Sequence, residues 1–104
     1  MHIQFNTDNH VEGYQRLQEY WSGEIANSLS RFEDKVTGLY VFLGDENSDK
    51  DTTGDKRCSM EARIAGLNPV AVVNHGDTIE AAVKGATDKM KKVLTTTFDK
   101  MRTH

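Results

Sequence analysis

At 104 residues the chain can bury one two-layer core but not two, so residues 1–104 are expected to form a single domain. With 37% hydrophobic and 28% charged residues and one proline, the composition excludes a disordered, collagenous or disulfide-built protein. The formal net charge of −3 argues against phosphate binding if charge is spread evenly, but it is not: residues 1–56 hold eleven acids and five bases, residues 57–104 five acids and eight bases.

Ile3 and Phe5 alternate with His2, Gln4 and Asn6, the period-2 pattern of a half-buried first strand. Asp8, Asn9 and Gly13 supply turn and capping chemistry. Leu17, Tyr20, Trp21, Ile25, Leu29 and Phe32 then recur at three- and four-residue spacing, which predicts an amphipathic helix over 13–32. Val36 to Leu43 is almost wholly β-branched, aromatic or aliphatic and reads as a strand. In Arg57 to Ile64, Cys58, Met60, Ala62 and Ile64 face one way and Arg57, Ser59, Glu61 and Arg63 the other, a half-exposed strand. Between these two, Gly44 to Lys56 has no apolar side chain and is expected to be a long, mobile hairpin loop.

Gly66-Leu67-Asn68-Pro69 marks a turn, Val70 to Asn74 a fourth strand, and Asp77 with Glu80 a capping box that starts a helix at Thr78. The apolar stripe of that helix is Ile79, Ala82, Val83, Ala86, Met90, Val93, Leu94 and Met101. The order is β-α-β-β-β-α. Two helical stripes with no other partner must cover one apolar sheet face, which gives an α+β architecture: a four-stranded sheet with both helices packed on one face, its last three strands antiparallel.

No apolar run approaches the roughly 20 residues of a membrane span, and the polar N-terminus lacks the features of a signal peptide, so no membrane partner is expected. The lone Cys58 cannot close an internal disulfide, and a cytoplasmic location follows as the default. His2, His10, His75 and His104 have no ligand spacing, and Cys58 falls on the apolar side of its strand, so neither a metal site nor a thiol nucleophile is expected. Gly44, Gly54 and Gly66 are isolated and open no phosphate loop; Glu33-Asp34 and Asp45-Glu46 lie in polar connections where burial would not tune them. The expectation is a protein that is not an enzyme, with no cofactor and no small-molecule substrate.

What remains is the last helix. Lys84, Lys89, Lys91, Lys92, Lys100 and Arg102 all avoid its apolar stripe and line its exposed flanks. Such a ridge is either a solvated face whose bases complement the helix dipole or a surface that meets nucleic-acid phosphates, with Arg57 and Arg63 as contributors from the sheet. The alternative is a protein-binding module that uses the open sheet face or the edge of the fourth strand.

The opening Ile3-Gln4-Phe5-Asn6-Thr7 with Val11-Glu12, the run Leu39-Tyr40-Val41-Phe42-Leu43, and Ala81-Ala82 leading through Gly85 to Asp88-Lys89-Met90 and Asp99-Lys100-Met101-Arg102 carry a resemblance. Over essentially the whole chain they resemble the ribosome hibernation-promoting factor family, also called ribosomal subunit interface or ribosome-associated inhibitor proteins. The resemblance implies a translation regulator that binds ribosomal RNA of the small ribosomal subunit between head and body, occludes the mRNA and tRNA path, and silences idle ribosomes under stress. It places bases at Lys89, Lys92, Lys100 and Arg102, where short family members also carry them. Glu24, Asn27, Thr96 and Phe98 stand where relatives often carry lysine or, in the last helix, lysine or histidine. Because the chain ends at His104, a short-form member is expected, without the extra C-terminal domain by which long members pair ribosomes.

Overall fold

The computed structural model describes residues 1–7, 14–45 and 56–102, with backbone alone for Tyr14, Gln15, Leu17, Asp45, Met101 and Arg102. The elements are β1 (His2–Thr7), α1 (Tyr14–Ser28), a 3-10 turn at Ser30–Phe32, β2 (Val36–Asp45), β3 (Lys56–Ile64), β4 (Val70–Gly76) and α2 (Ile79–Arg102). The strands lie in the order β1-β2-β3-β4. β1 runs parallel to β2, the crossover carrying α1, while β2, β3 and β4 pair antiparallel. The expected α+β arrangement is therefore present. β2 and β3 pair as far as Asp45 opposite Lys56, so Gly44, Asp45 and Lys56, expected in the loop, belong to the strands because antiparallel backbone pairing needs no apolar side chain; residues 46–55 lie outside the described residues, as do Asp8, Asn9 and Gly13.

Alternation in the strands decides which side the helices cover. Phe5, Leu39, Val41, Leu43, Cys58, Met60, Ala62 and Ile64 are all buried and meet Trp21 and Ile25 from α1, Leu29 just after it, and Ala82, Val83, Ala86, Met90 and Leu94 from α2 in one core. Val36 joins the same side despite its even number because the β2–β3 register shifts between Val36 and Gly38, and Thr37 Oγ1 donates to Arg63 O across that irregularity at 3.1 Å. The buried Thr87 hydroxyl donates to Val83 O, four residues back, at 2.7 Å, so its polarity is satisfied within the helix. Gly66 closes the β3–β4 turn at φ +80°, a conformation that costs glycine little and a side-chain-bearing residue much more.

Four other expectations change. Helix 13–32 is broken after Ser28 and finishes as the separate 3-10 turn. Tyr20, expected in the apolar stripe, is 57% exposed and meets Trp21 edge-on at 4.8 Å between ring centroids: it sits next to Trp21 in sequence and so lies about 100° round the helix from it. The helix cap is Thr78, not Asp77, because Ala81 N donates to Thr78 Oγ1 at 3.0 Å and Ala82 N makes the first helical bond to Thr78 O. Glu80 pairs with Lys84 one turn on, at 3.1 Å. Phe98, absent from the expected stripe, is buried and stacks on Phe32 at 5.7 Å. Val93 and Ile79 are only half-buried, and nothing is described of the Met101 side chain.

Close approach of α2 to β4 fixes the helix on the sheet. The Asn74 side-chain amide donates to Ala81 O and Ala82 O at 3.3 and 3.2 Å, linking strand to helix. A Cβ at Gly85 would fall on that amide, so the glycine in mid-helix is there for space. This packing points the opposite face of α2 to solvent.

Candidate nucleic-acid interface

α2 is 24 residues long, about 36 Å at helical rise, and its bases do not form one line. At about 100° per residue, Lys84 and Lys91 fall within roughly 20° of each other, Lys92 stands roughly 100° round from Lys91, and Lys89 and Lys100 share a second flank, Lys89 beside β4 and Lys100 nearer the C-terminal end. All five are exposed; of Arg102 the structure describes the backbone alone, continuing the helix.

The two groups differ electrostatically. Lys84 is held by Glu80, whose hydrogen bond and charge raise the ammonium pKa, with Glu24 of α1 adding to the effect. Asp88 lies one turn from Lys84, Lys91 and Lys92, and with Lys91, Lys92, Thr95 and Thr96 it lines a shallow groove on the outer face. Within that groove the two adjacent lysines outnumber the one acid. Lys89 instead turns to the sheet and donates from Nζ to Val73 O of β4 at 2.9 Å. β4 is an edge strand of the sheet, so this bond sets the Lys89 side chain against the strand to which another polypeptide would have to add.

Two further bases join the C-terminal end of α2, unforeseen in the sequence. Lys35 Nζ lies 4.7 Å from the centroid of the Phe98 ring, and Arg31 Cζ lies 5.0 Å from that of Phe32. The stacked Phe32–Phe98 pair thus carries a cation on each ring and brings Arg31 and Lys35 from the 3-10 turn to the last turns of α2. The signal was present in the bases that flank Phe32, but it acquires meaning only once Phe98 is known to be buried. Phe98 is thus a buried anchor against which Lys35 lies. Glu24 and Asn27 are exposed on α1 and Thr96 on α2, so at these positions the chain lacks positive charge on open surface.

The other face of the sheet is uncovered. Register places Gln4, Tyr40, Glu61 and Ala71 in one row across the strands and Asn6, Phe42, Ser59 and Val73 in the next. Arg63 lies opposite Gly38 beyond the first row, and Arg57 lies opposite Gly44 and His75 beyond the second. Phe42 and Val73 are each 39% exposed, and Arg63 Cζ sits 4.6 Å from the centroid of the Tyr40 ring. Among the described residues no three His, Cys, Asp or Glu side chains gather as a metal site would require. Cys58 is buried and its thiol is pushed up to about 12 by desolvation, which suits packing and not nucleophilic attack.

No curated protein sequence matches the chain. Among solved structures, the N-terminal domain of Protein Y from Thermus thermophilus is similar with a TM-score of 0.67 and 20% identity, over 88% of this chain and 93% of that one. A ribosomal subunit interface protein from Coxiella burnetii is similar with a TM-score of 0.66 and 14% identity, over 95% of this chain and 99% of that one. At these identities the likeness establishes the fold. The profile of the sigma 54 modulation protein / S30EA ribosomal protein family matches residues 3–102, nearly the whole length, and the chain therefore belongs to that family, as its sequence pattern led us to expect.

Proposed function

We propose that the protein is a ribosome-associated translation inhibitor that acts without catalysis, in the cytoplasm, with residues 1–104 working as one unit. α2 lies against ribosomal RNA of the small subunit, and the bulk of the fold then blocks the mRNA and tRNA path of idle ribosomes. The observation that carries the proposal is the family match over residues 3–102. The exposed lysines of α2 supply the chemistry: an ammonium on a flexible stem neutralises a phosphate without demanding a fixed geometry, and a folded RNA presents many phosphates.

Lys91 and Lys92 are the centre of this contact, because they share the open groove with a single acid. Lys100, Arg102, Arg31 and Lys35 form its C-terminal end. Lys84 and Lys89 stand in reserve, since binding a phosphate asks each to exchange an existing partner, Glu80 or Val73 O. Contact through several bases at once gives an affinity that falls steeply with salt, the more so the more phosphates are neutralised.

The test is sedimentation through sucrose gradients of the tagged protein from starved and from growing cells. Migration with small subunits or whole ribosomes in starved cells alone is expected. Migration at the top of the gradient in both would contradict the proposal.

A further inference from the structure

We propose that the open sheet face is a second nucleic-acid surface, a stacking platform for unpaired bases of single-stranded RNA; that this RNA is ribosomal or messenger rests on the ribosome-binding reading above. The rings of Tyr40 and Phe42 stand two residues apart on β2, an inner strand of the sheet, on the side the helices leave bare. Their surroundings are small where rings need room. Ser59 faces Phe42 across the strands, and a Cβ at Gly38 would come within 3.1 Å of the Tyr40 ring, so glycine lets that ring lie over the backbone.

The charges favour RNA over a polypeptide. Arg63 Cζ lies over the Tyr40 ring, 4.6 Å from its centroid, which holds a cation on this face. Arg57 ends the same strand face six residues away, about 20 Å, so the two arginines bracket both rings. Glu61 is the one acid between them. Two cations at phosphate-spanning separation, the exposed Phe42 ring and the guanidinium over the Tyr40 ring as surfaces for a base, and the exposed amides of Gln4 and Asn6 beside them are what an unstacked strand offers its backbone, bases and base edges to. A duplex, whose bases stack on one another, has nothing to place on the rings.

The full chain is titrated at low salt with a fluorescein-labelled dodecamer of uridine and with a 12-base-pair RNA duplex, followed by anisotropy. The single strand is expected to bind more tightly, and Phe42→Ala to weaken it by about fivefold or more, the loss of one stacked base. Phe42 is exposed, and Arg63→Gln, which leaves both rings in place, gives an independent loss should Phe42→Ala disturb the sheet. Equal binding of duplex and single strand, or single-strand binding indifferent to both substitutions, would overturn the platform. So would a dimer in sedimentation equilibrium that Phe42→Ala dissolves, since the face would then be covered by a second copy. Small-subunit pelleting separates the two proposals: a chain that binds the oligonucleotide but not the subunit keeps the platform and refutes the ribosomal reading, and the opposite pattern refutes the platform.

Discussion

Phe98 is the residue at which the family resemblance and the structure make opposite forecasts. Resemblance alone expects Phe98→Lys to restore a base to the RNA-facing helix and to strengthen binding. In the structure Phe98 is 6% exposed and stacked on Phe32, and Lys35 lies against its outer face. Removing a buried phenylalanine costs about 3–5 kcal/mol, and the pair lies near a helix end where the site relaxes more readily, so about 3 kcal/mol is expected. The stem of a lysine carries its ammonium out to water and recovers little of the lost packing, while bringing two ammonium groups close together. Against a total stability of about 5–15 kcal/mol this is a large share, and it lowers Tm by roughly 12 to 24 °C. Urea unfolding followed by the fluorescence of Trp21, the sole tryptophan and itself buried, measures it directly. Phe98→Ala is expected to match Phe98→Lys within about 1 kcal/mol, and both to weaken subunit binding by fraying the end of α2. A Phe98→Lys protein of unchanged stability and raised affinity would refute the reasoning.

Thr78→Ala is expected to cost about 1 kcal/mol through loss of the cap on Ala81 N, and Asp77→Ala less, by thermal unfolding. Gly85→Ala, which in an open helix would stabilise by about 1 kcal/mol, is expected to destabilise here, and the simultaneous change Asn74→Ala to recover part of the loss. Lys89→Ala removes the side chain set against the edge strand β4 and is expected to raise self-association in concentrated solution, read by light scattering. The Cys58 thiol should resist alkylation at pH 8 until the chain unfolds. Its raised pKa makes it a source of stability at pH below 9.0, progressively lost as pH rises from 9.0 to about 12, because the unfolded thiol ionises first; Cys58→Ala should flatten that decline in urea midpoints.

Period-2 alternation made the strands legible, because one face of the sheet is buried and the other bare, and β3 shows this residue by residue. Apolar spacing likewise located both helices. It misjudged Tyr20 and Phe98, since helical spacing identifies a stripe but not its edges: which flank is covered depends on where the sheet and the 3-10 turn lie. The cap moved from Asp77 to Thr78 for a similar reason, as both residues are competent and the fit of α2 over β4 chooses between them. In the candidate site, the basic character of α2 was plain from Lys84 onward, but its division was not. Lys84 and Lys89 differ from Lys91 and Lys92 because of Glu80 and of a carbonyl sixteen residues away in β4, and that second partner is a product of tertiary packing. Arg31 and Lys35 went unnoticed because their place at the end of α2 depends on a stack between residues 66 positions apart.

The central claim, that exposed lysines of α2 hold the protein on ribosomal RNA, is tested most directly by pelleting the full chain with purified small subunits across a series of salt concentrations, alongside Lys91→Glu/Lys92→Glu. The account predicts a steep linear fall of log affinity with log salt, and for the variant weaker binding with a slope shallower by about 1.4–1.8, the loss of two phosphate contacts. Equal affinity and equal slope for the two proteins would contradict it.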